Sequence, residues 1–462
     1  MAVGLVLALG GLVVGLRPLT DNSFFTHLAT GRIILGSGSI PSVDPYTFTA
    51  YGEPWVVQSW LASWLYATVE RFGGADGLRL LMGCTFAAVT AIGWLLVRAA
   101  DGVVARLGLG VLFVAVGGEL WAERPLMLGL VAFGCTMLAA EGRLDRRWLI
   151  PIGWIWVNVH GSFPLGIVFL VAAAIGARVD GQRPVHELAA LRWLAMGIAV
   201  GAVGPLGLRA LVFPLELLER QRVLSHVIEW RAPTFDMFSQ RMFLVQLILA
   251  IIMLARRPSY RAGVVLAVFT ASALLGSRNL TIASMAMLPA MAGSLAGLGT
   301  LKGAQRGRLP VAVAGLAVIG AMAIGSVRLQ DHGYSLASHP IDALAYLQAT
   351  RVVVDDHRLA APDVVGNLQE LLYGPRGRVF YDDRFDLFAD EVSADHLQLV
   401  ESGPGVRSAL DAHEIKLVLW ERAAPLSQRL VADPGWRLLY ADDRWLLLCE
   451  RGVDLGGAVG RC

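Results

Sequence analysis

The chain has 462 residues, of which 55% are hydrophobic and only 16% charged, with a net charge of +2 and a mean hydropathy of +0.58. A soluble globule of that length carries more charge, so the composition points to a polytopic membrane protein. No concentrated basic stripe is present, which excludes nucleic acid as an expected partner. The four cysteines, Cys84, Cys135, Cys449 and Cys462, lack paired metal-ligand spacing, and no disulfide framework is expected from them.

In chain order, residues 2–16 form a first apolar segment with neither a basic start nor a small-x-small cleavage site, so a transmembrane helix is expected rather than a signal peptide. Further apolar segments cover 78–98, 103–119, 125–141, 148–159, 160–178, 189–204, 241–256, 261–277, 279–298 and 309–327. Several fall short of the ~20 residues of a straight span, so short, tilted or re-entrant helices are expected among them. Arginines gather in alternate connections: Arg98 and Arg106; Arg143, Arg146 and Arg147; Arg178, Arg183 and Arg192; Arg256, Arg257 and Arg261; Arg306 and Arg308 with Lys302. Positively charged loops stay in the cytoplasm, so about eleven spans are expected, with the amino terminus inside. Residues 20–58, 119–125, 204–240 and the chain after about 328 then lie outside.

The stretch Thr20–Gln58 is the first long polar interruption. Within it, residues 23–36 place Phe24, Phe25, Leu28 and Leu35 at helical spacing, as in an amphipathic helix lying in the membrane interface. Asp21 stands where that helix would be capped, which alone would account for it. Asp44 either binds substrate or forms an Asx-type turn before Pro45. The assumed topology puts Asp21, His27, Asp44, Arg124, Asn158, His160, Glu229 and Arg278 near one face, and ionisable groups near membrane depth tend to be functional.

Residues 1–328, with the external loop 20–58, are expected to form a transmembrane domain, and 329–462 an extracytoplasmic α/β domain. Strands are predicted at 352–354, 379–381, 416–420, 437–440 and 445–449, and helices at 340–349, 363–373, 391–400, 405–412 and 424–432. Their alternation favours a mainly parallel sheet with a terminal hairpin turning at Asp442-Asp443-Arg444. Asp382-Asp383-Arg384 follows a predicted strand and reads as a solvated loop ahead of a ligand site.

No P-loop, G-x-G-x-x-G, H-E-x-x-H or G-x-S-x-G stands in a fitting context. The blocks DNSFFTHLATGRIILGSGSIPSVDPYTFTAYGEPW, ERPLMLGL, WVNVHGSFPLGI, GPLGLRALVFP, VIEWRAPTFD, SRNLTIASMAMLP and RVFYDDRFDLF run in order over nearly the whole chain. In order and spacing they resemble a large bacterial group of polytopic proteins similar to GT-C glycosyltransferases. The resemblance implies a GT-C-like fold in a bacterial inner membrane and transfer of a sugar from a polyprenyl-phosphate donor to a cell-envelope glycan, lipid or protein acceptor. It also implies an acidic residue of the first external loop near the reaction centre, sometimes with a divalent metal, Mg or Mn.

Asp21 matches that acid. The related first block reads acid-x-acid before its aromatics and histidine, whereas here Ser23 replaces the second acid and Thr26 one aromatic. The chemistry assigns Asp21 and His160 to acid–base work and Arg124 and Arg278 to stabilising a phosphate leaving group. His27, Asp44, Asn158 and Glu229 complete the candidate substrate-binding set. Interhelical polar bonding is the competing account of Asn158 and His160, and anchoring of its loop, through Arg231, that of Glu229. The other functional class is a non-catalytic scaffold subunit, or a carrier of lipid-linked glycans, built on the same architecture.

Overall fold

The computed structural model describes residues 2–219, 228–297, 309–331, 333–350, 357–456 and 459–462. The chain divides into two compact units, residues 1–19 with 58–334 and residues 20–57 with 335–462. The stretch expected to be a loop of the transmembrane domain therefore belongs to the same unit as the C-terminal residues.

The first unit is helical. Each expected apolar segment contains a helix, including Ala2–Gly15, Trp60–Leu96, Val103–Gly117, Pro125–Ala140, Leu149–Val159, Pro164–Val179, Val185–Gly201, Phe238–Arg256, Tyr260–Leu275 and Leu280–Ser294. Among the described residues, only Trp60–Ala99 and Phe238–Arg256 are long and apolar enough to cross a membrane. The count of about eleven spans is thus not matched by helix length. Glycine and proline explain the interruptions: Gly74 breaks the long helix with φ 58° and ψ −154°, and Pro125 and Pro164 begin new helices.

Small residues let these helices approach backbone to backbone. A Cβ on Gly15 would stand 2.6 Å from the Gly83 Cα, and one on Gly197 would stand 2.5 Å from the carbonyl oxygens of Leu149 and Ile150. Fully buried Arg79 satisfies the exposed ends of two other helices. It donates to the Leu16 carbonyl at 3.0 and 2.7 Å, to the Asp331 carbonyl at 3.3 Å and to the carbonyl of Arg328. Those carbonyls lie at helix C-termini, where no intrahelical donor reaches them.

The second unit holds helix Asn22–Ser37, the C-terminal helices and a four-stranded sheet. The strands are β1 (Arg358–Ala360), β2 (Ile415–Glu421), β3 (Trp436–Ala441) and β4 (Trp445–Glu450), in the order β1-β2-β4-β3. Only β1 and β2 run parallel; β2–β4 and β3–β4 are antiparallel, so the expected mainly parallel sheet is corrected to a mixed one. The hairpin does turn at Asp442, whose carboxylate accepts from the backbone N–H of Arg444 and Trp445 at 2.8 and 2.7 Å.

Residues 379–381 do not join the sheet. Val379 instead exchanges backbone hydrogen bonds with Tyr46 and Phe48, both at 3.0 Å, pairing with the N-terminal stretch. The expected strand at 352–354 and the residues Lys302, Arg306 and Arg308 lie outside the described residues. Two further expectations are corrected here. Phe24, Phe25 and Leu28 are 0% exposed, so the face read as lying on lipid is covered by protein, including helix Asp363–Tyr373. Cys449 and Cys462 form a disulfide with a Cα separation of 6.3 Å, which lies within the usual range; the chain folds back at Leu455–Gly460 to bring them together.

Replacing Gly197 with valine should destabilise the helical unit by about 1–3 kcal/mol or more, because the facing carbonyls have little room to retreat. Gly10→Ala, which meets nothing within 4 Å, is the control. A thermal-unfolding midpoint in detergent that falls for the first and holds for the second is the expected outcome.

Candidate functional site

Arg124 occupies the cap position of helix Pro125–Ala140, and Arg278 lies in the turn Ser277–Asn279 that opens helix Leu280–Ser294. Both guanidinium groups therefore sit at helix N-termini, whose partial positive charge repels a cation. Glu229 offsets this. It forms an ion pair with Arg124, its charge acts on Arg278 together with that of Arg124, and its carbonyl accepts from Ser277 Oγ at 3.2 Å. Arg278 also lies 4.2 Å above the Trp230 ring. Three candidates far apart in sequence thus converge, and Glu229 is 44% and Arg124 26% exposed, leaving the pair accessible. The loop-anchoring account of Glu229 through Arg231 therefore omitted its bond to Arg124.

Asn158 is fully buried: its Nδ2 donates to the carbonyl of Trp154 in its own helix and its Oδ1 accepts from Trp60 Nε1 on another helix, each at 2.7 Å. This is the interhelical bonding that competed with a substrate role. His160 ends the same helix with extended backbone, and its Nδ1 accepts from the Ser162 N–H at 3.1 Å. A side chain added at Gly129 would meet Ser162 Oγ at 2.7 Å and His160 Cβ at 3.6 Å. The His160 corner therefore packs against the first turns of the helix that Arg124 precedes.

In the second unit, Asp21 has the extended backbone of a helix cap, φ −76° and ψ 127°, but makes no side-chain cap hydrogen bond. Capping therefore does not account for its carboxylate. His27 lies half-buried on the same helix. Ser23, standing where the related sequences carry an acid, donates its hydroxyl to Asp383. A carboxylate from the C-terminal part thus reaches the first block.

Asp44 makes the Asx-type turn, accepting from the Tyr46 N–H at 3.2 Å, the Thr47 N–H at 3.0 Å and the Thr47 hydroxyl at 2.6 Å. It also pairs with Arg384 at 2.8 Å, so it is committed to structure. Arg384 further binds Asp382 through Nε at 3.0 Å and Nη2 at 2.6 Å, reaches Glu370 at 3.2 Å and stacks 4.4 Å from the Trp55 ring. Burial opposes its charge, but Asp382, Glu370 and Asp44 outweigh that and hold the guanidinium protonated well above its ordinary range. Asp382 is 0% and Arg384 7% exposed, which corrects the reading of Asp382-Asp383-Arg384 as a solvated loop. Glu370 was not singled out from the sequence. Its signal was the pair Asn367 and Glu370, polar groups three apart on one face of helix Asp363–Tyr373.

The eight candidates thus divide between the units. Arg124, Asn158, His160, Glu229 and Arg278 belong to the helical unit, and Asp21, His27 and Asp44 to the other. Among the described residues no three His, Cys, Asp or Glu side chains are grouped so as to hold a metal ion.

His396 stacks 4.0 Å from Tyr381, and burial lowers it to about 3 against the pull of Asp382. The unfolded imidazole titrates near 6.5, so this contribution to stability is complete above that pH and declines as pH falls towards 3. His396→Phe should remove about one proton's worth of acid sensitivity from unfolding of this unit, measured by chemical denaturation between pH 4 and 7. Removing Arg384 as Arg384→Gln should cost roughly 3–5 kcal/mol, since it leaves buried carboxylates without their cation; urea unfolding followed by tryptophan fluorescence measures it.

No family model matches the chain, and neither does any curated protein. Among solved structures it is similar to the archaeal oligosaccharyltransferase AglB from Archaeoglobus fulgidus, determined in complex with an inhibitory peptide and a dolichol-phosphate. The TM-score is 0.53 at 11% identity, over 91% of this chain and 69% of that one. The likeness shows the fold alone, and this chain is mostly helical with a small C-terminal sheet.

Proposed function

We propose that this protein is a membrane glycosyltransferase of the GT-C type that moves a sugar from a polyprenyl-phosphate donor to a cell-envelope acceptor on the extracytoplasmic face. The observation that carries the reading is the ion pair of Arg124 with Glu229 beside Arg278, which lies over Trp230 and feels the charges of both, with each arginine at the start of a helix. Two guanidinium groups beside one acid leave a net positive site suited to a phosphate, with Arg124 and Glu229 partly exposed and Arg278 buried behind them. In the transfer, the bond between the sugar's anomeric carbon and the phosphate oxygen breaks as the acceptor oxygen bonds to that carbon. The phosphate keeps the electron pair, and the arginines stabilise its charge.

Asp21 matches the acid that the resemblance puts near the reaction centre, and a carboxylate is suited to take the acceptor proton. His160, at the corner packed on the helix behind Arg124, is the second base. The AglB structure contains a dolichol-phosphate and a peptide, which supports a lipid-linked donor and admits a protein as acceptor. The disulfide Cys449–Cys462 favours an oxidising compartment for the C-terminal residues, in keeping with an extracytoplasmic position. The non-catalytic reading rests on a specific observation too: Ser23 stands in place of the second acid and is bonded to Asp383.

Transfer measured in membranes with lipid-linked donors separates the two. Asp21→Asn should lower it by roughly a hundredfold or more without unfolding the protein, and Arg278→Lys should weaken donor use because lysine lacks the planar fork. Wild-type transfer that survives Asp21→Asn removes Asp21 from the mechanism. Tight donor binding with no wild-type transfer from any donor favours the carrier.

A further inference from the structure

Four ionisable side chains meet inside the second unit, and three of them are acids. The Asp44, Glu370 and Asp382 side chains are each 0% exposed and lie within 3.2 Å of the one Arg384 guanidinium. If all were ionised, one positive charge would face three negative ones in a medium that screens poorly, and burial of uncompensated charge is costly enough that one group takes up a proton instead.

The hydrogen bonds decide which. Asp382 receives two guanidinium bonds and the Arg384 N–H at 2.8 Å. Asp44 receives two backbone N–H groups and a hydroxyl besides Arg384. Neither oxygen of Glu370 accepts a hydrogen bond of ordinary geometry, and its contact with Arg384 is the longest of the three. The groups facing Glu370 are Asp382 and Arg384 from one segment, Thr26 from helix Asn22–Ser37, and Tyr46 beside Asp44. Burial first, then the charge of Asp382, raises its carboxyl well above the ordinary range, with Arg384 and, more weakly, the Thr26 hydroxyl pulling the other way.

We propose that Glu370 is a proton-binding site, held as the neutral acid beside Asp382, and that its ionisation loosens helix Asn22–Ser37 from helix Asp363–Tyr373. The direction follows from the preference of the folded state for the proton: the stability it contributes is complete at low pH and is lost as pH rises through the folded value. The unit then carries an alkaline release built on one buried acid. It acts on the helix bearing Asp21 and His27, and is independent of whether those residues catalyse anything.

The test uses the full-length protein in detergent. Infrared difference spectra between wild type and Glu370→Gln at neutral pH should show the carbonyl band of a protonated carboxylic acid in wild type alone. Hydrogen-exchange protection of peptides from residues 22–37, corrected for the intrinsic pH dependence of exchange, should fall in wild type as pH rises from 6 to 9 and stay level in Glu370→Gln. No acid band in wild type, or the same alkaline loss of protection in both proteins, overturns the proposal. Should Glu370→Gln fail to fold, Asp382→Asn supplies the second arm. Removing the neighbouring negative charge should move the midpoint of the acid band to lower pH, and an unmoved midpoint overturns the proposal equally.

Discussion

The second unit depends on Arg384. One buried guanidinium joins three parts of the chain: Asp44 from the N-terminal stretch, Glu370 from helix Asp363–Tyr373, and Asp382 from its own segment. The buried carboxylates of Asp44 and Asp382 would be prohibitive without that cation, and the cation without them. This mutual requirement, with the backbone pairing of Val379 to Tyr46 and Phe48, explains why residues 20–57 form a unit with residues more than three hundred positions away. Around it the stack of Phe388, Tyr381 and His396, with ring separations of 4.1 and 4.0 Å, fills the space towards the sheet.

The helical unit solves a different problem, that of keeping short helices together where apolar burial gives little preference for one partner over another. Glycines bring backbones into contact, and Arg79 closes helix ends that would otherwise present bare carbonyls. Against that economy, Arg124 and Arg278 are conspicuous. They stand at helix starts where the dipole disfavours them, and one acid, Glu229, serves both. The proposed binding of a phosphate rests on this arrangement, in which Arg124 and Glu229 stay partly exposed.

The sequence made the helices legible because apolar runs bounded by glycine, proline and arginine are strong local signals. It also marked the hairpin at Asp442, whose side chain builds the turn, and the Asx turn at Asp44. It did not show that Asp44 also meets Arg384, because a bond between distant segments leaves no local pattern. The cluster Asp382-Asp383-Arg384 was visible, but charge in sequence reads as solvent exposure unless the partners are known, and Glu370 stands among the polar residues Asn367 and Gln369 of an amphipathic helix, where a buried acid looks like a solvated one. Residues 379–381 have strand composition, and only tertiary pairing with Tyr46 and Phe48 diverts them from the sheet. In the candidate site, the residue types were legible and the bond between Arg124 and Glu229 was not.

The account's central claim is that a lipid phosphate binds at the paired arginines. The most direct measurement is an experimental structure of the full-length protein in a lipid nanodisc with a polyprenyl phosphate added. The account predicts phosphate density between the Arg124 and Arg278 guanidinium groups, with the Glu229 carboxylate displaced from Arg124. Phosphate bound elsewhere, with the Arg124–Glu229 pair intact, would contradict it.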